Sequence, residues 1–260
     1  MTLLVGILCT DGIVIAADQA VTFGPDVQRA TIQHAACKIS IVADQVIIAM
    51  TGQVGLAQRY IDIFQSNWAQ LAQAPTTDTL IHTQLCSVAQ QNFRSTGAPP
   101  HELGGLVGMA RNGQLSLCEY LGQFQPEMKT GAVWFASTGS GQLMADAYLA
   151  LVRDTLWQQK QPSLNLGILG AAWVMDRSII AAPRYIGPPI NIAVIAKNDG
   201  GAYAARMLEQ ADVDEHLVAV RDSIRYLGDF KPTKQDADSA PEMPEPPASE
   251  APPDNTEQRF

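Results

Sequence analysis

The sequence predicts an α+β fold in four layers: two antiparallel sheets stacked face to face, with a helical layer outside each. Two observations carry this. Element types alternate in blocks along the chain, as strands, two helices, strands, two helices, strands. Each helix pair bears an apolar stripe that needs a sheet face to cover it. With 260 residues and 47% hydrophobic content, the chain is also long enough to bury one large core.

The first element is an apolar β run from Leu3 to Leu8, followed by the dipeptide Asp11-Gly12 and a second run, Ile13 to Asp18. Asp-Gly between two such runs is a strong hairpin signal. Cys37–Ile41 and Val46–Gly52 read as the next strands. Val54, Ala57, Ile61, Phe64, Trp68 and Leu71 then recur at steps of three and four, which marks a helix and its buried stripe. Pro75 to Asp78 break the pattern, and a second helix is expected over residues 79–93. Strands are expected at 105–110 and 115–120 around the Asn112-Gly113 turn, and another at 132–136. A third helix should run from Ser140 to Trp157. A fourth, capped by Ser163, should end before Pro183. Residues 190–196 and 201–205 read as strands, and Asp212 opens a last helix to Leu227.

Residues 1–230 are thus expected to form one domain. Beyond Phe230 the composition shifts to Pro, Glu, Asp, Ala and Ser, which offers too little apolar surface to offset ordering entropy. Residues 231–260 read as a disordered tail. It holds seven acids against three bases, a large part of the net charge of −9.

Chemistry concentrates near the start. Thr2 follows Met1, and an aminopeptidase removes methionine before so small a residue. The exposed threonine would carry a hydroxyl nucleophile and an amine base in one residue. Asp18 closes the second strand. Lys38 lies in a β run where a lysine is ordinarily a solvated edge residue; buried, it needs a carboxylate partner, and Asp18 is the candidate. Gly52 ends a strand just before a helix. Ala136-Ser137-Thr138-Gly139-Ser140-Gly141 forms a small-residue turn ahead of another helix.

Taken together and in order, these residues resemble the catalytic β-type subunits of the proteasome family, including its bacterial relatives, over roughly residues 2 to 227. The resemblance implies the N-terminal-nucleophile hydrolase fold, which agrees with the four layers. It also implies roles: Thr2 as nucleophile, Asp18 and Lys38 as its charged support, Gly52 as oxyanion donor, Ser140 as a supporting hydroxyl. Thr22 and Gly52 would pair with the backbone of an extended substrate. Met50 falls where the family places the floor of a side-chain pocket, although it reads equally well as plain core. The implied activity is threonine-type hydrolysis of unfolded protein or peptide inside a homo-oligomeric ring, without cofactor. The chain departs from the family at Arg184-Tyr185-Ile186-Gly187-Pro188-Pro189. There Tyr185 and Pro188 replace an acid and a serine that orient the threonine amine. That departure keeps two alternatives open, an inactive scaffold subunit and an amidase acting on a small molecule.

Other classes fit poorly. The acidic balance argues against nucleic acid, and no secretory n-region and h-region or run of eighteen apolar residues is apparent. Cys9, Cys37, Cys86 and Cys118 lack CxxC spacing and read as small core residues of a reducing, cytoplasmic compartment. His34, His82, His101 and His216 are scattered, which leaves no metal motif.

Overall fold

Strands β1 (Leu3–Leu8) and β2 (Ile13–Asp18) are buried along their whole length on both faces, which marks them as central strands. The computed structural model describes residues 2–23, 32–35, 37–184 and 186–229. Beyond β2 lies a ribbon of β3 (Ala20–Phe23) and β4 (Ile32–Ala35), paired antiparallel. There follow β5 (Ile39–Val42), β6 (Val46–Gly52), α1 (Val54–Leu71), α2 (Asp78–Arg94), β7 (Leu103–Arg111), β8 (Gln114–Leu121) and β9 (Gln125–Met128). The second half holds β10 (Phe135–Gly139), α3 (Gln142–Thr155), α4 (Leu164–Ala181), β11 (Ile190–Lys197), β12 (Tyr203–Met207) and α5 (Gln210–Asp229).

Two five-stranded antiparallel sheets result, ordered β10-β1-β2-β11-β12 and β5-β6-β7-β8-β9. Period-two alternation sorts the second sheet. Ile47, Ala49, Leu106 and Leu117 face the first sheet, and Ile48, Met50, Val107 and Tyr120 face α1 and α2. Helices α3 and α4 cover the other face of the first sheet. The four expected layers are therefore present. The chain divides into a unit ending at Asp222 and a second, residues 223–260; of the latter only residues 223–229, the end of α5, are described. The expected tail lies outside the described residues.

Several local expectations shift. The buried stripe of α1 is Leu56, Tyr60, Phe64, Trp68 and Leu71, while Val54 is exposed. Tyr60 enters the core because its hydroxyl reaches Tyr120 Oη at 2.6 Å. The third strand block starts at Phe135, not residue 132, because Thr130 and Val133 close a bridge on each other first. Asn112 and Gly113 both take positive φ (52° and 72°), as a two-residue hairpin turn requires. At Asp11-Gly12 the reason differs: a Cβ on Gly12 would meet Ile195 O at 2.6 Å. Asp11 Oδ1 instead accepts the Leu164 N–H at the start of α4 (2.7 Å), while Ser163 makes no side-chain cap bond.

Helix α4 bears on the membrane reading. It is the described helix long and apolar enough to cross a membrane by length and composition. Half of it is buried in the protein, however, with Ile168, Ala171, Ala172, Val174 and Met175 in the core cluster of the first sheet. Cys9, Cys86 and Cys118 are buried as expected; Cys37 is exposed.

Candidate active site

The central position of β1 fixes Thr2. Its N–H donates to Ser140 Oγ (3.0 Å), and its carbonyl accepts from Ser140 Oγ (3.3 Å) and from Gly141 N (3.3 Å). The small-residue turn after β10 thus clamps the residue from one side. Helix α3 begins at Gln142, two residues later than the sequence pattern implies, because Ser140 is engaged with Thr2.

On the other side lies Asp18, fully buried at the end of β2. Its Oδ1 accepts from Lys38 Nζ at 2.6 Å and from Leu3 N at 2.8 Å, and its Oδ2 from Ala20 N (3.2 Å) and Gly187 N (3.3 Å). Three backbone N–H groups and one ammonium therefore satisfy a carboxylate with no access to water. Lys38 Nζ also donates to Ala20 O (2.8 Å). Its side chain is only 7% exposed, so the edge-residue reading of Lys38 does not hold. Burial lowers the Lys38 pKa, partly opposed by the Asp18 charge and hydrogen bond.

Gly52 ends β6 with φ +109°, and a Cβ there would lie 1.9 Å from Glu102 O. Only glycine makes this turn into α1. Gly139 has φ +104°, and a Cβ on it would lie 2.2 Å from Thr2 O and 3.4 Å from Thr51 Oγ1. Gly139 is thus where the end of β6 in one sheet meets the start of β1 in the other. Beside this junction opens a cavity of about 420 Å³, walled by Thr51, Gly52, Glu102, Thr138, Gly139 and Gln142 among others.

A family model described as "Proteasome subunit" matches residues 2–153. The chain belongs to the proteasome subunit family. No curated protein matches the sequence, but solved structures do. An Anbu (Gly-1) mutant from Hyphomicrobium sp. strain MC1 is similar with TM-score 0.66 at 15% identity, over 90% of this chain and 99% of that one. Anbu, an ancestral beta-subunit, from Yersinia bercovieri is similar with TM-score 0.65 at 11% identity, over 88% and 97% respectively.

Within this proteasome-family fold, Ser140 is bonded to Thr2 and Lys38 to Asp18, and the two pairs meet at Leu3, the residue after Thr2, whose N–H donates to Asp18. Gly52 lies in the cavity wall next to Thr51. Thr22 lies in β3 opposite Gln33, with its side chain outside the described residues. Met50 sits in the core beneath the helices, 6% exposed and against Gly105, and it is not in the cavity wall. Core is therefore the better of its two readings. Tyr185 lies outside the described residues. Its neighbour Gly187 gives the departing stretch a role that sequence reading missed, as a donor to Asp18. The cavity wall was missed too, apart from Gly52, because its residues come from five separate segments.

Proposed function

We propose that the chain is a threonine-type peptidase whose nucleophile is Thr2, freed by removal of Met1. The observation that carries this reading is the single Asp18 oxygen shared by Lys38 Nζ and Leu3 N, which sets a buried ammonium beside the residue that follows Thr2.

In this reading the Thr2 hydroxyl passes its proton to the Thr2 amine as Oγ attacks the peptide carbonyl carbon. The carbonyl oxygen takes up negative charge opposite the Gly52 N–H, just before the N-terminus of α1, where the helix dipole favours an anion. The C–N bond then breaks, and the leaving nitrogen takes the proton to depart as an amine. Water hydrolyses the ester, which restores the hydroxyl. Lys38 keeps the amine from holding a proton too tightly, because two cations in one buried site repel. Ser140, bonded to both N and O of Thr2, holds the nucleophile in one orientation.

Substrates in this proposal are unfolded proteins or peptides, and the working form is a cytoplasmic homo-oligomeric ring that shields the nucleophiles from folded proteins. A second reading, a ring subunit without turnover, is favoured by Pro188, which stands where the family has a serine and brings no hydroxyl. Treating the purified protein with a peptide epoxyketone and weighing its N-terminal peptide separates the two. An adduct on a chain starting at Thr2 supports the peptidase, whereas retained Met1 without an adduct supports the scaffold. Light scattering tests the ring, and a monomer would overturn it.

A further inference from the structure

Strand β1 has two flanks. Asp18, Lys38 and the β3–β4 ribbon lie on the β2 flank. The 420 Å³ cavity lies on the β10 flank, between Thr138, Gly139 and Gln142 on one side and Thr51, Gly52 and Glu102 on the other. Its floor comes from the end of β8, including Tyr120 and Leu121. The volume is within the range of small-ligand sites. In the peptidase reading, a substrate strand laid along the ribbon side would reach Thr2 with its scissile carbonyl, and its continuation would enter this cavity.

The wall mixes polar side chains (Thr51, Thr138, Gln123 and Gln142) and glycines with the apolar surface of Leu103, Tyr120 and Leu121. It contains one carboxylate, Glu102, and one imidazole, His101; its lysines and arginines number none among the described residues. Glu102 is bonded to Gln53 through both backbone and side chain. Its backbone carbonyl accepts the Gln53 N–H at 3.2 Å, and its Oε2 accepts from Gln53 Nε2. That amide leaves the second carboxylate oxygen available for a cation. A half-buried carboxylate in a small cavity without a basic side chain selects positive charge.

We infer that this cavity is the subsite for the residue on the leaving-amine side of the scissile bond, and that Glu102 makes it select lysine or arginine there. The inference rests on the peptidase reading for its place in the reaction. The recognition itself does not need turnover and is measured without it. The full-length Thr2→Ala protein, which cannot cleave, is titrated calorimetrically with the amidated tripeptides Lys-Ala-Ala and norleucine-Ala-Ala. These differ only in the side-chain charge.

The expected result is about fivefold tighter binding of the lysine peptide, the size of a partly solvated ion pair. Glu102→Gln should remove that preference, and His101→Gln should retain it. Circular dichroism and melting of each variant check that the fold is intact. Equal binding of the two peptides, or a preference that survives Glu102→Gln, overturns the inference. In the parent protein, peptides differing only at this residue then test the reaction. Cleavage without a lysine preference also counts against the subsite. Lysine-selective binding without any cleavage leaves the subsite standing and sinks the peptidase reading instead.

Discussion

Lys38 Nζ lies 2.6 Å from Oδ1 of Asp18, a carboxylate with no exposed surface, and this pair ties the edge of one sheet to the centre of the other. Three backbone N–H groups share the carboxylate with the lysine, so its satisfaction does not rest on Lys38 alone.

Lys38→Ala therefore separates a catalytic loss from a structural one. Removing a partner of a buried pair ordinarily costs about 3–5 kcal/mol. The backbone donors to Asp18 hold the expected loss here nearer about 2 kcal/mol. Peptide hydrolysis should fall by about a hundredfold or more, the scale of a lost electrostatic contact in the transition state. Urea unfolding and kcat measured on the same preparation check both. Parent turnover in a destabilised variant would leave Lys38 a structural role only.

Thr2→Ala should abolish hydrolysis while the melting temperature moves little. The backbone N and O of Thr2, which any residue supplies, make the bonds to Ser140 and Gly141. Activity above a tenth of the parent would remove Thr2 as nucleophile.

His82 supplies a pH test of the helical layer. It is fully buried with Nδ1 2.8 Å from Tyr120 Oη, and burial lowers its pKa to about 4 from 6.5, against a small opposing effect of Asp78. The folded state then binds fewer protons at this site than the unfolded chain between those values. Stability should fall as pH drops from 6.5 towards 4, by about 3 kcal/mol in all. His82→Gln keeps an acceptor for the Tyr120 hydroxyl and removes the titration. Urea unfolding at pH 7.5 and 5 should show a smaller pH difference in this variant than in the parent. Equal differences would assign the acid sensitivity to other groups.

The sequence exposes what depends on local pattern and hides what depends on meeting across layers. Leu3–Leu8 and Ile13–Asp18 are legible because an unbroken apolar run without helical spacing has one home, the middle of a sheet. The Asn112-Gly113 turn is legible because two positive φ values demand those residue types. Strand β9 is not legible: it carries Pro126, which only an edge strand tolerates, and it has just four residues. The α1 stripe is misplaced because Tyr60 looks half polar until Tyr120, sixty residues away, supplies a hydroxyl partner. In the site, Asp18 and Lys38 stand out as charges inside apolar runs. Gly187 does not, since its contribution is a backbone N–H that no side-chain motif records.

Gly139 offers the most direct test of how tightly the two sheets hold Thr2, the proposed nucleophile. Its φ of +104° and the 2.2 Å approach of a Cβ to Thr2 O both forbid a side chain, so Gly139→Ala must push the Thr2 carbonyl away from Ser140 and Gly141. Gly113→Ala is the control. Gly113 also has positive φ, at +72°, yet a Cβ there meets nothing within 4 Å. The control should cost only the torsional penalty, about 1 kcal/mol, and leave Thr2 untouched. Gly139→Ala should cost about 2 kcal/mol or more and slow epoxyketone labelling of Thr2 at least about tenfold. Labelling rates and urea midpoints of the two variants, compared with the parent, decide the matter. Parent-like labelling in Gly139→Ala would mean that the nucleophile is held from the Asp18 side alone.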